Sequence, residues 1–406
     1  MTKTHAKTTV VTEEEVVKEF LERGVENVYP NIGAVDTALE SGKRLRAYLG
    51  IDPTGPTLHM GHLIPLKKLR DLQQMGHEVI LLIGDFTAMI GDPTDKSAAR
   101  VRLTREQVLE NCKLYKEQAS KFLQFDGPNP AHLKFNSEWL GKMTFADVVE
   151  LAAHFTVQQM SERDMFEKRL TDGKPVYLHE FMYPLMQGYD SVAMDVDIEV
   201  GGNDQTFNML AGRTLLRETK QKEKYVIATT LLADDSGKKM GKTEGNMIAL
   251  NDTAEDVYGK VMSWSDGMIL PAFRLCTDVE AGEIERIESL MKNGGNPVEY
   301  KHRLAKEIVK FLKSPEEADA AREHFNRVHK NHEVPEEIPE LKIDGATSLV
   351  DVLVAAKFVT SKTDARQQIE QGGVKVDGTV VTDVKATVSV GVTIQKGKRY
   401  FVKLIA

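Results

Sequence analysis

The stretch RLRAYLGIDPTGPTLHMGH, Arg44 to His62, decides the fold of the first half of the chain. An apolar run that ends at Asp52 is typical of a buried strand, and Pro53 and Pro56 then fix a tight turn. Thr57 is a residue type that commonly caps the start of a helix. The stretch therefore predicts a strand that passes through a turn into a helix.

Two further apolar runs end in a similar way. EVILLIGD closes at Asp85, and DVDIEVGGNDQ places glycines and polar residues before Gln205. A strand, a helix and a second strand within about forty residues predict a right-handed parallel unit. Because ligands of open α/β sheets bind at the carboxyl ends of the strands, the three strand ends predict one shared pocket.

His59 and His62 lie at the mouth of the predicted helix, on one face of its first turn. A metal site, a phosphate site and an ordinary helix start are the three interpretations of this pair. A helix N-terminus offers unpaired N–H groups and a partial positive charge, which suit an anion, and Gly61 leaves room for a ring or a ribose. A zinc site needs further ligands at metal spacing, and no nearby cysteine or acidic cluster supplies them. We therefore predict no protein-bound metal.

A glycine-rich segment, DDSGKKMGKTEGN, runs from Asp234 to Asn246 and carries Lys239 and Lys242 on either side of a glycine. Lysines on a flexible loop can close over the phosphates of a transition state. Taken alone, a Lys/Gly segment of this kind is more commonly a solvated surface turn.

A third constellation lies in HEFMYPLMQGYDS. Tyr183, Gln187 and Asp190 are spaced so that all three project from one helical face. Pro184 predicts that the helix starts there or kinks just before it, because proline lacks the N–H. The neighbouring methionines and leucine are too apolar for a surface helix, which favours a lined pocket.

Charge and composition limit the class of protein. The 406 residues are 41% hydrophobic and 28% charged, which is typical of a globular protein of two or three domains. No apolar run approaches the roughly 20 residues that span a bilayer, and the first residues do not resemble a secretory signal. Cys112 and Cys276 fit no paired-cysteine spacing, which indicates a reducing, cytoplasmic location. The net charge of −8 argues against a nucleic-acid binder, but the residues from Gly345 onward carry nine Lys/Arg and five Asp/Glu, so a basic tail follows an acidic body.

The two signatures occur in a fixed order and together resemble those of class I aminoacyl-tRNA synthetases, which usually carry HIGH and KMSKS. Here they are His59-Met60-Gly61-His62 and Lys239-Met240-Gly241-Lys242-Thr243. With YLGIDPT, IGDPTDK, GGNDQ and the Y-x3-Q-x2-D pattern, the chain closely resembles the bacterial tyrosyl-tRNA synthetase family from about residue 44 onward. The resemblance implies an α/β fold, with a Rossmann-like parallel-sheet catalytic domain (1–249), a helical anticodon-side domain (250–331), a linker (332–346) and a small C-terminal α+β RNA-binding domain (347–406).

By the same resemblance, the site residues take three kinds of role. The expected catalytic residues are His59, His62, Lys239, Lys242 and Thr54. The expected tyrosine-binding residues are Tyr48 and Asp190 at the phenol, Asp92, Tyr183 and Gln187 at the ammonium, and Gln205 near the carboxylate. The expected ATP-binding residues are Gly50, Asp52, Gly61, Asp204, Met240 and Thr243.

The tail SKTDARQQIEQGGVKVDGTVV resembles the S-four-type RNA-binding module. Lys362 replaces the first arginine of the usual pattern, and Asp377 replaces its asparagine. The implied RNA contacts are Lys362, Arg366 and Lys375, and such modules bind folded RNA mainly through phosphates and shape. A small α/β tail with a chance positive charge is the alternative.

The implied activity is that of a tyrosine–tRNA ligase, which uses ATP with Mg²⁺ as co-substrate and charges tRNA(Tyr). The resemblance also implies a homodimer, for which residues 140–166 are a candidate interface, and no membrane partner. The alternative within the same enzyme class is a tryptophanyl-tRNA synthetase. Two alternatives of another class are a catalytically silent RNA-binding paralogue and a small-molecule nucleotidyltransferase with the same H-x-G-H turn. The intact His59, His62, Lys239 and Lys242 favour a working enzyme, and the RNA-binding tail favours a tRNA substrate.

Overall fold

The computed structural model describes residues 9–92, 103–161, 164–233, 247–330, 338–343, 345–359, 361–397 and 400–406. These residues form two compact units, of which the first ends at Ala318 and the second begins at Asp319. None of the helices within these ranges is long and apolar enough to cross a bilayer. The finer domain boundaries, at residues 249, 331 and 346, stay predictions.

The first unit contains a six-stranded sheet. Its strands are β1 (Val25–Tyr29), β2 (Arg46–Ile51), β3 (Glu78–Ile83), β4 (His132–Phe135), β5 (Ile198–Gly202) and β6 (Tyr225–Thr229). They lie in the order β1-β6-β5-β2-β3-β4, in which β1 pairs antiparallel with β6 and the other pairs are parallel. The parallel sheet, and the strands that were predicted from three apolar runs, are confirmed.

Helices make up most of the remainder of this unit. They are α1 (Glu14–Glu22), α2 (Ile32–Glu40), α3 (Met60–Gln74), α4 (Thr87–Ile90), α5 (Arg105–Cys112), α6 (Tyr115–Ala119), α7 (Ser137–Leu140), α8 (Phe145–Ala152), α9 (Val157–Ser161), α10 (Asp164–Thr171), α11 (Leu178–Met194), α12 (Thr206–Lys220), α13 (Ala254–Met262), α14 (Ile269–Cys276), α15 (Ala281–Lys292) and α16 (Pro297–Leu312). A further helix, α17 (Pro315–Lys330), crosses the division between the units. The elements from α13 to α17 are all helices, as the resemblance implies for this part of the chain.

The start of α3 differs from the prediction. The N-cap is His59, so the prediction that Thr57 caps this helix is wrong. The reason is that the chain is still extended here: His59 forms an isolated β-bridge with Ala249, and the carbonyl of Leu58 accepts a hydrogen bond from the N–H of Leu250 over 2.9 Å. A residue whose backbone pairs in this way cannot yet be helical, which moves the cap to the histidine.

Helices α11 and α12 approach each other closely because glycines face the contact. A Cβ atom on Gly188 would lie 3.1 Å from backbone atoms of Ala211 and Gly212. Helix α11 runs through Pro184 and begins at Leu178, so the prediction that it could start at the proline is wrong. The close packing fixes the helix that carries Tyr183, Gln187 and Asp190 against the rest of the unit.

The second unit has its own core. Its elements after α17 are β7 (Glu340–Lys342), β8 (Thr347–Ser348), α18 (Leu349–Ala355), α19 (Lys362–Glu370), β9 (Val374–Val376), β10 (Thr379–Val380), β11 (Thr387–Val388), β12 (Thr393–Lys396) and β13 (Tyr400–Ile405). The strands form a sheet of order β10-β9-β12-β13-β7 and a separate β11-β8 pair. Leu353, Ile369 and Leu404 are fully buried between helices and sheet. The small α+β fold that the resemblance implies for this part of the chain is confirmed.

Candidate active site

Polar side chains from the carboxyl ends of neighbouring strands meet as the pattern predicts. Asp52, which follows β2, accepts hydrogen bonds from Thr87 Oγ1 over 2.6 Å and from Tyr183 Oη over 2.8 Å. A Cβ atom on Gly84, at the end of β3, would collide with the Asp52 carboxylate. Glycine is therefore required there, because any larger residue would displace the aspartate.

Asp190 forms a buried acidic end to the cluster. Its side chain is 2% exposed, and Oδ1 accepts a hydrogen bond from Trp139 Nε1 over 2.7 Å. Oδ2 accepts a second, longer bond from Asn136 Nδ2 over 3.3 Å. Burial raises the pKa of Asp190 well above its usual value, although both hydrogen bonds act in the opposite direction. The site thus contains a carboxyl group with little access to water and strong capacity to bind a hydroxyl.

Asn136 is held in place by its own contacts. Its Nδ2 also donates to Thr87 Oγ1 over 3.0 Å, and its Oδ1 accepts the backbone N–H of Phe86 over 2.9 Å. Sequence reasoning missed Asn136, Trp139 and Thr87. Asn136 could have been found from the sequence, because it directly follows β4. Polar residues after a strand are the pattern that identified the ends of β2, β3 and β5.

Tyr48, in β2, is near enough to Asp190 for the charge of this carboxyl group to act on its phenol. It is fully buried, and its hydroxyl is 2.9 Å from Ser191 Oγ. Burial, followed by the negative charges of Glu199 and Asp190, raises the pKa of Tyr48 well above 10, so its phenol stays protonated. Gln187, one turn before Ser191 on α11, donates from Nε2 to Glu199 Oε1 over 3.1 Å. Ser191 and Glu199 also escaped the sequence analysis.

Asp92 and Gln205, which are far apart in sequence, are in direct contact. Gln205 Nε2 donates to Asp92 Oδ2 over 2.7 Å, and Gln205 Oε1 accepts from Asn208 Nδ2 over 2.9 Å. Asp204 lies in the same 3-10 turn, Asn203–Gln205, directly after β5. The end of β5 thus joins the pocket that the ends of β2 and β3 form.

The two histidines both accept backbone hydrogen bonds at the start of α3. His59 Nδ1 accepts the N–H of Gly61 over 3.1 Å, and His62 Nδ1 accepts the N–H of His59 over 3.1 Å. In its neutral form, each ring therefore carries its proton on Nε2, which can donate to a phosphate oxygen. Burial, and then the charge of His59, lowers the pKa of His62 well below 6.5, so this ring is neutral near pH 7. This arrangement fits the phosphate interpretation better than the metal one, because a protonated nitrogen cannot ligate a metal.

The remaining expected residues lie near the end of β2, at the start of α3 or outside the described residues. Thr54 is exposed after β2, and its N–H donates to the carbonyl of Asp52 over 2.8 Å. Gly50 is the exposed residue of β2, and Gly61 lies in the first turn of α3. Lys239, Met240, Lys242 and Thr243 lie outside the described residues. Among the described residues, no group of three or more His, Cys, Asp or Glu side chains is placed to hold a metal ion.

Comparison with known proteins places the chain in a family. The family described as tRNA synthetases class I (W and Y) matches residues 40–330, and the S4 domain matches residues 348–394. A tyrosine–tRNA ligase of Thermotoga maritima is 44% identical over 398 residues, which cover 97% of this chain and 98% of that protein. The chain belongs to the tyrosine–tRNA ligase family. It is accordingly an aminoacyl-tRNA ligase.

Further relatives agree with this assignment. A tyrosine–tRNA ligase of Geobacter metallireducens is 46% identical over 378 residues, covering 91% of this chain and 93% of its own. Among solved structures, a C-terminally truncated mitochondrial tyrosyl-tRNA synthetase of Coccidioides posadasii has a TM-score of 0.63 at 27% identity, covering 76% of this chain and 91% of its own. The Archaeoglobus fulgidus tyrosyl-tRNA synthetase, solved with L-tyrosine, shares the fold at a TM-score of 0.60 and 23% identity, covering 76% of this chain and 99% of its own.

The S4 domain of this tyrosine–tRNA ligase family member contains the three expected RNA-contacting residues. Lys362 begins α19 and pairs with Asp351 over 2.8 Å, Arg366 is exposed on the same helix, and Lys375 is half-buried in β9. Asp377, which replaces the usual asparagine, has a φ of 49° and accepts the N–H of Thr393 through Oδ1 over 2.8 Å. Asparagine and aspartate both tolerate this left-handed conformation, so the turn is kept.

Proposed function

We propose that the protein joins L-tyrosine to the 3′-terminal adenosine of tRNA(Tyr) in two steps, with Mg-bound ATP as co-substrate. The observation that carries the choice of amino acid is Asp190. It is a buried carboxyl group, oriented by Trp139 and Asn136, beside the protonated phenol of Tyr48. A substrate hydroxyl between Tyr48 and Asp190 would give this carboxyl group a partner that a phenylalanine ring lacks.

The polar groups nearer the strand ends suit the amino-acid backbone. Asp92, Tyr183 and Gln187 would bind the ammonium, and Gln205 would lie toward the carboxylate. The negative charge of Asp92 supports its role at the ammonium. Its contact with Gln205 places the residue proposed for the ammonium beside the residue proposed for the carboxylate. The Tyr183 hydroxyl already donates to Asp52, so the same hydroxyl oxygen, Oη, would accept from the ammonium.

The mouth of α3 suits the phosphates of ATP. His59 and His62 would donate from Nε2 to the reacting phosphates, with Thr54 adding a hydroxyl from the preceding turn. Asp52, Gly50, Gly61 and Asp204 would contact the nucleotide, since they lie at the strand ends and in the first turn of the helix. Lys239 and Lys242 would close over the pyrophosphate, with Met240 and Thr243 beside them.

In the first step the tyrosine carboxylate, already ionised at neutral pH, attacks the α-phosphorus of ATP in line. The new C–O–P link forms tyrosyl-adenylate, the bond to the β-phosphate oxygen breaks, and pyrophosphate leaves with its electron pair. In the second step a ribose hydroxyl of the terminal adenosine attacks the tyrosyl carbonyl and loses its proton, and AMP leaves. The protein supplies positioning and donors to growing negative charge, which requires no general base in the first step.

We propose further that the protein is a cytoplasmic homodimer. Exposed apolar side chains cluster in the predicted interface segment and nearby, with Phe145 83% exposed and Val157 74% exposed. Leu178, at the start of α11, is 81% exposed, and α8 packs against α11. Side chains of this kind are usually covered in a protein–protein interface. The unpaired Cys112 and Cys276 support a reducing compartment.

Charging of tRNA tests the proposal. The purified protein should attach labelled tyrosine to a tRNA(Tyr) transcript in the presence of Mg-ATP, and should leave tryptophan and a tRNA(Trp) transcript unchanged. Charging of tRNA(Trp) with tryptophan would favour the tryptophanyl alternative. Binding of tRNA(Tyr) without charging of any tRNA would favour the silent RNA-binding paralogue.

A further inference from the structure

A lysine is completely buried behind the pocket, at a position to which the sequence analysis gave no role. Lys224 immediately precedes β6 and is 0% exposed. Its ammonium donates to Glu199, to Ser191 Oγ over 2.7 Å and to the carbonyl of Met209 over 3.0 Å. A lysine has three N–H donors, so all of them are used and directed to fixed acceptors.

The space for this ammonium is made by a missing side chain. A Cβ atom on Gly212, in α12, would collide with Lys224 Nζ and lie 2.6 Å from Ser191 Oγ. Glycine costs helix stability, about 1 kcal/mol relative to alanine in a helix interior. Gly212 therefore lowers the stability of α12 but leaves the space that the Lys224 ammonium occupies.

Two contacts lead from the lysine's partners to residues proposed to bind tyrosine. Glu199 uses one carboxylate oxygen for Lys224 and the other, Oε1, to accept Gln187 Nε2 over 3.1 Å. Ser191 Oγ lies 2.9 Å from the hydroxyl of Tyr48, and Lys224 Nζ lies 5.7 Å from the centre of the Tyr48 ring. Lys224 is thus one intervening side chain away from both Tyr48 and Gln187.

Stability alone does not account for the pair. Removing two charges from water costs several kcal/mol per ion, and apolar residues of similar volume often replace a buried pair without loss. A buried network with every donor and acceptor satisfied does, however, hold its members in a single arrangement. We therefore expect the network to fix the orientation of the side chains at its ends, Tyr48 and Gln187.

We propose that Lys224 and Glu199 form a positioning pair that fixes the orientation of Tyr48 and Gln187 and thereby sets the affinity and selectivity for tyrosine without acting on ATP. This inference rests on the proposed function, since it assigns Tyr48 and Gln187 to tyrosine. Lys224 touches no reacting atom and is not a catalytic residue.

Ser191→Ala is the gentlest variant, because it removes only the oxygen that joins Lys224 to Tyr48. The double variant Lys224→Gln/Glu199→Gln replaces the ion pair by neutral amides and leaves an acceptor for Gln187. For both variants we expect KM for tyrosine in ATP–pyrophosphate exchange to rise about tenfold, with KM for ATP changed less than twofold. The preference for tyrosine over phenylalanine should fall in parallel.

Lys67→Met is the matched control. Lys67 is also a buried lysine, 6% exposed, but it donates to the carbonyl of Thr277 and pairs with Asp278, away from the pocket. We expect a lower melting temperature with both KM values unchanged.

The outcomes separate the two claims. If the wild-type protein shows no tyrosine-dependent exchange, the proposed function fails. If the wild type is active and Ser191→Ala leaves KM for tyrosine and the selectivity unchanged, the positioning role fails while the function stands. Equal rises in both KM values would also overturn the positioning role, because they would indicate general loosening of the unit. Ser191→Ala removes only a hydroxyl group, so we expect this variant to fold. It therefore tests the positioning role even if the double variant does not fold.

Discussion

Trp139 Nε1 donates a hydrogen bond of 2.7 Å to Oδ1 of Asp190, and this bond joins α7 to the C-terminal part of α11. The indole N–H can only donate, and the carboxylate accepts in every orientation, so the polarity of the contact is fixed. The bond leaves Oδ2 of Asp190 with the longer contact to Asn136. A substrate hydroxyl therefore has one carboxylate oxygen to approach.

Replacing this indole should weaken tyrosine activation. In Trp139→Phe an aromatic ring remains but the donor is lost, and removing one partner of a buried hydrogen bond costs roughly 1–3 kcal/mol. We expect kcat/KM for tyrosine in ATP–pyrophosphate exchange to fall roughly 10- to 100-fold. Trp264→Phe, in the segment between α13 and α14, is the control and should retain the wild-type value. Equal losses in the two variants would contradict a specific role for the bond.

His77 should make stability depend on pH. It is fully buried, and Nδ1 accepts the N–H of Leu45 over 3.2 Å. Nε2 has no hydrogen-bond partner in the described part of the chain. Burial, and then the charge of Arg44, lowers the pKa of His77 to about 4. As the pH falls, His77 is protonated in the unfolded chain before it is protonated in the folded one. The folded state therefore has its full stability above pH 6.5 and loses part of it as the pH falls toward 4.

The loss attributable to His77 should be on the order of 3 kcal/mol of unfolding free energy between pH 6.5 and 4. His77→Gln keeps an acceptor for Leu45 but does not titrate, while every other acidic transition stays the same. Urea unfolding of both proteins at several pH values measures the difference. Curves that remain parallel from pH 7 to 4 would show that His77 does not contribute.

The C-terminal unit should bind tRNA through its phosphates. In Lys362→Gln/Arg366→Gln two exposed cations of α19 are removed. We expect weaker tRNA binding and a slope of log K against log salt that is smaller by about 1 for each phosphate that the variant no longer neutralises. Tyrosine-dependent exchange should be unchanged, because that step needs no tRNA. Lys18→Gln on α1 is the control, and an equal fall in tRNA affinity in it would argue against a localised site.

The exposed apolar side chains should lie in the subunit interface. Phe145→Asp/Leu178→Asp places two carboxylates on the proposed contact, where their desolvation opposes association. Light scattering should give a dimer for the wild type and half that mass for the variant. Val298→Asp, which changes another half-exposed apolar residue on α16, should remain dimeric. A wild-type monomer at micromolar concentration would refute the dimer.

The sheet was predictable because its buried strands are visible in the sequence as apolar runs. In β3 the five residues after Glu78 are all buried, so an apolar run alone identifies the strand. The spacing of Tyr183, Gln187 and Asp190 likewise depends only on helical geometry. Local periodicity and turn residues therefore identified the elements that carry the pocket.

Long-range contacts were not predictable. Asn136 and Trp139 reach Asp190 across more than fifty residues, and no local pattern links the two segments. The Lys224–Glu199 pair is similarly hidden, because a lysine beside a strand normally indicates solvent exposure. The cap of α3 was misassigned because pairing near Ala249 extends the chain to His59.

The central claim is that this pocket selects a phenol through Asp190 and Tyr48. A site that hydrogen-bonds a substrate hydroxyl rejects the analogue without it, a rule for which tyrosyl-tRNA synthetases are themselves the usual example. The most direct measurement is ATP–pyrophosphate exchange by the wild-type protein with tyrosine, phenylalanine and tryptophan. The account predicts exchange with tyrosine alone. Exchange with tryptophan, or comparable kcat/KM for phenylalanine and tyrosine, would contradict it.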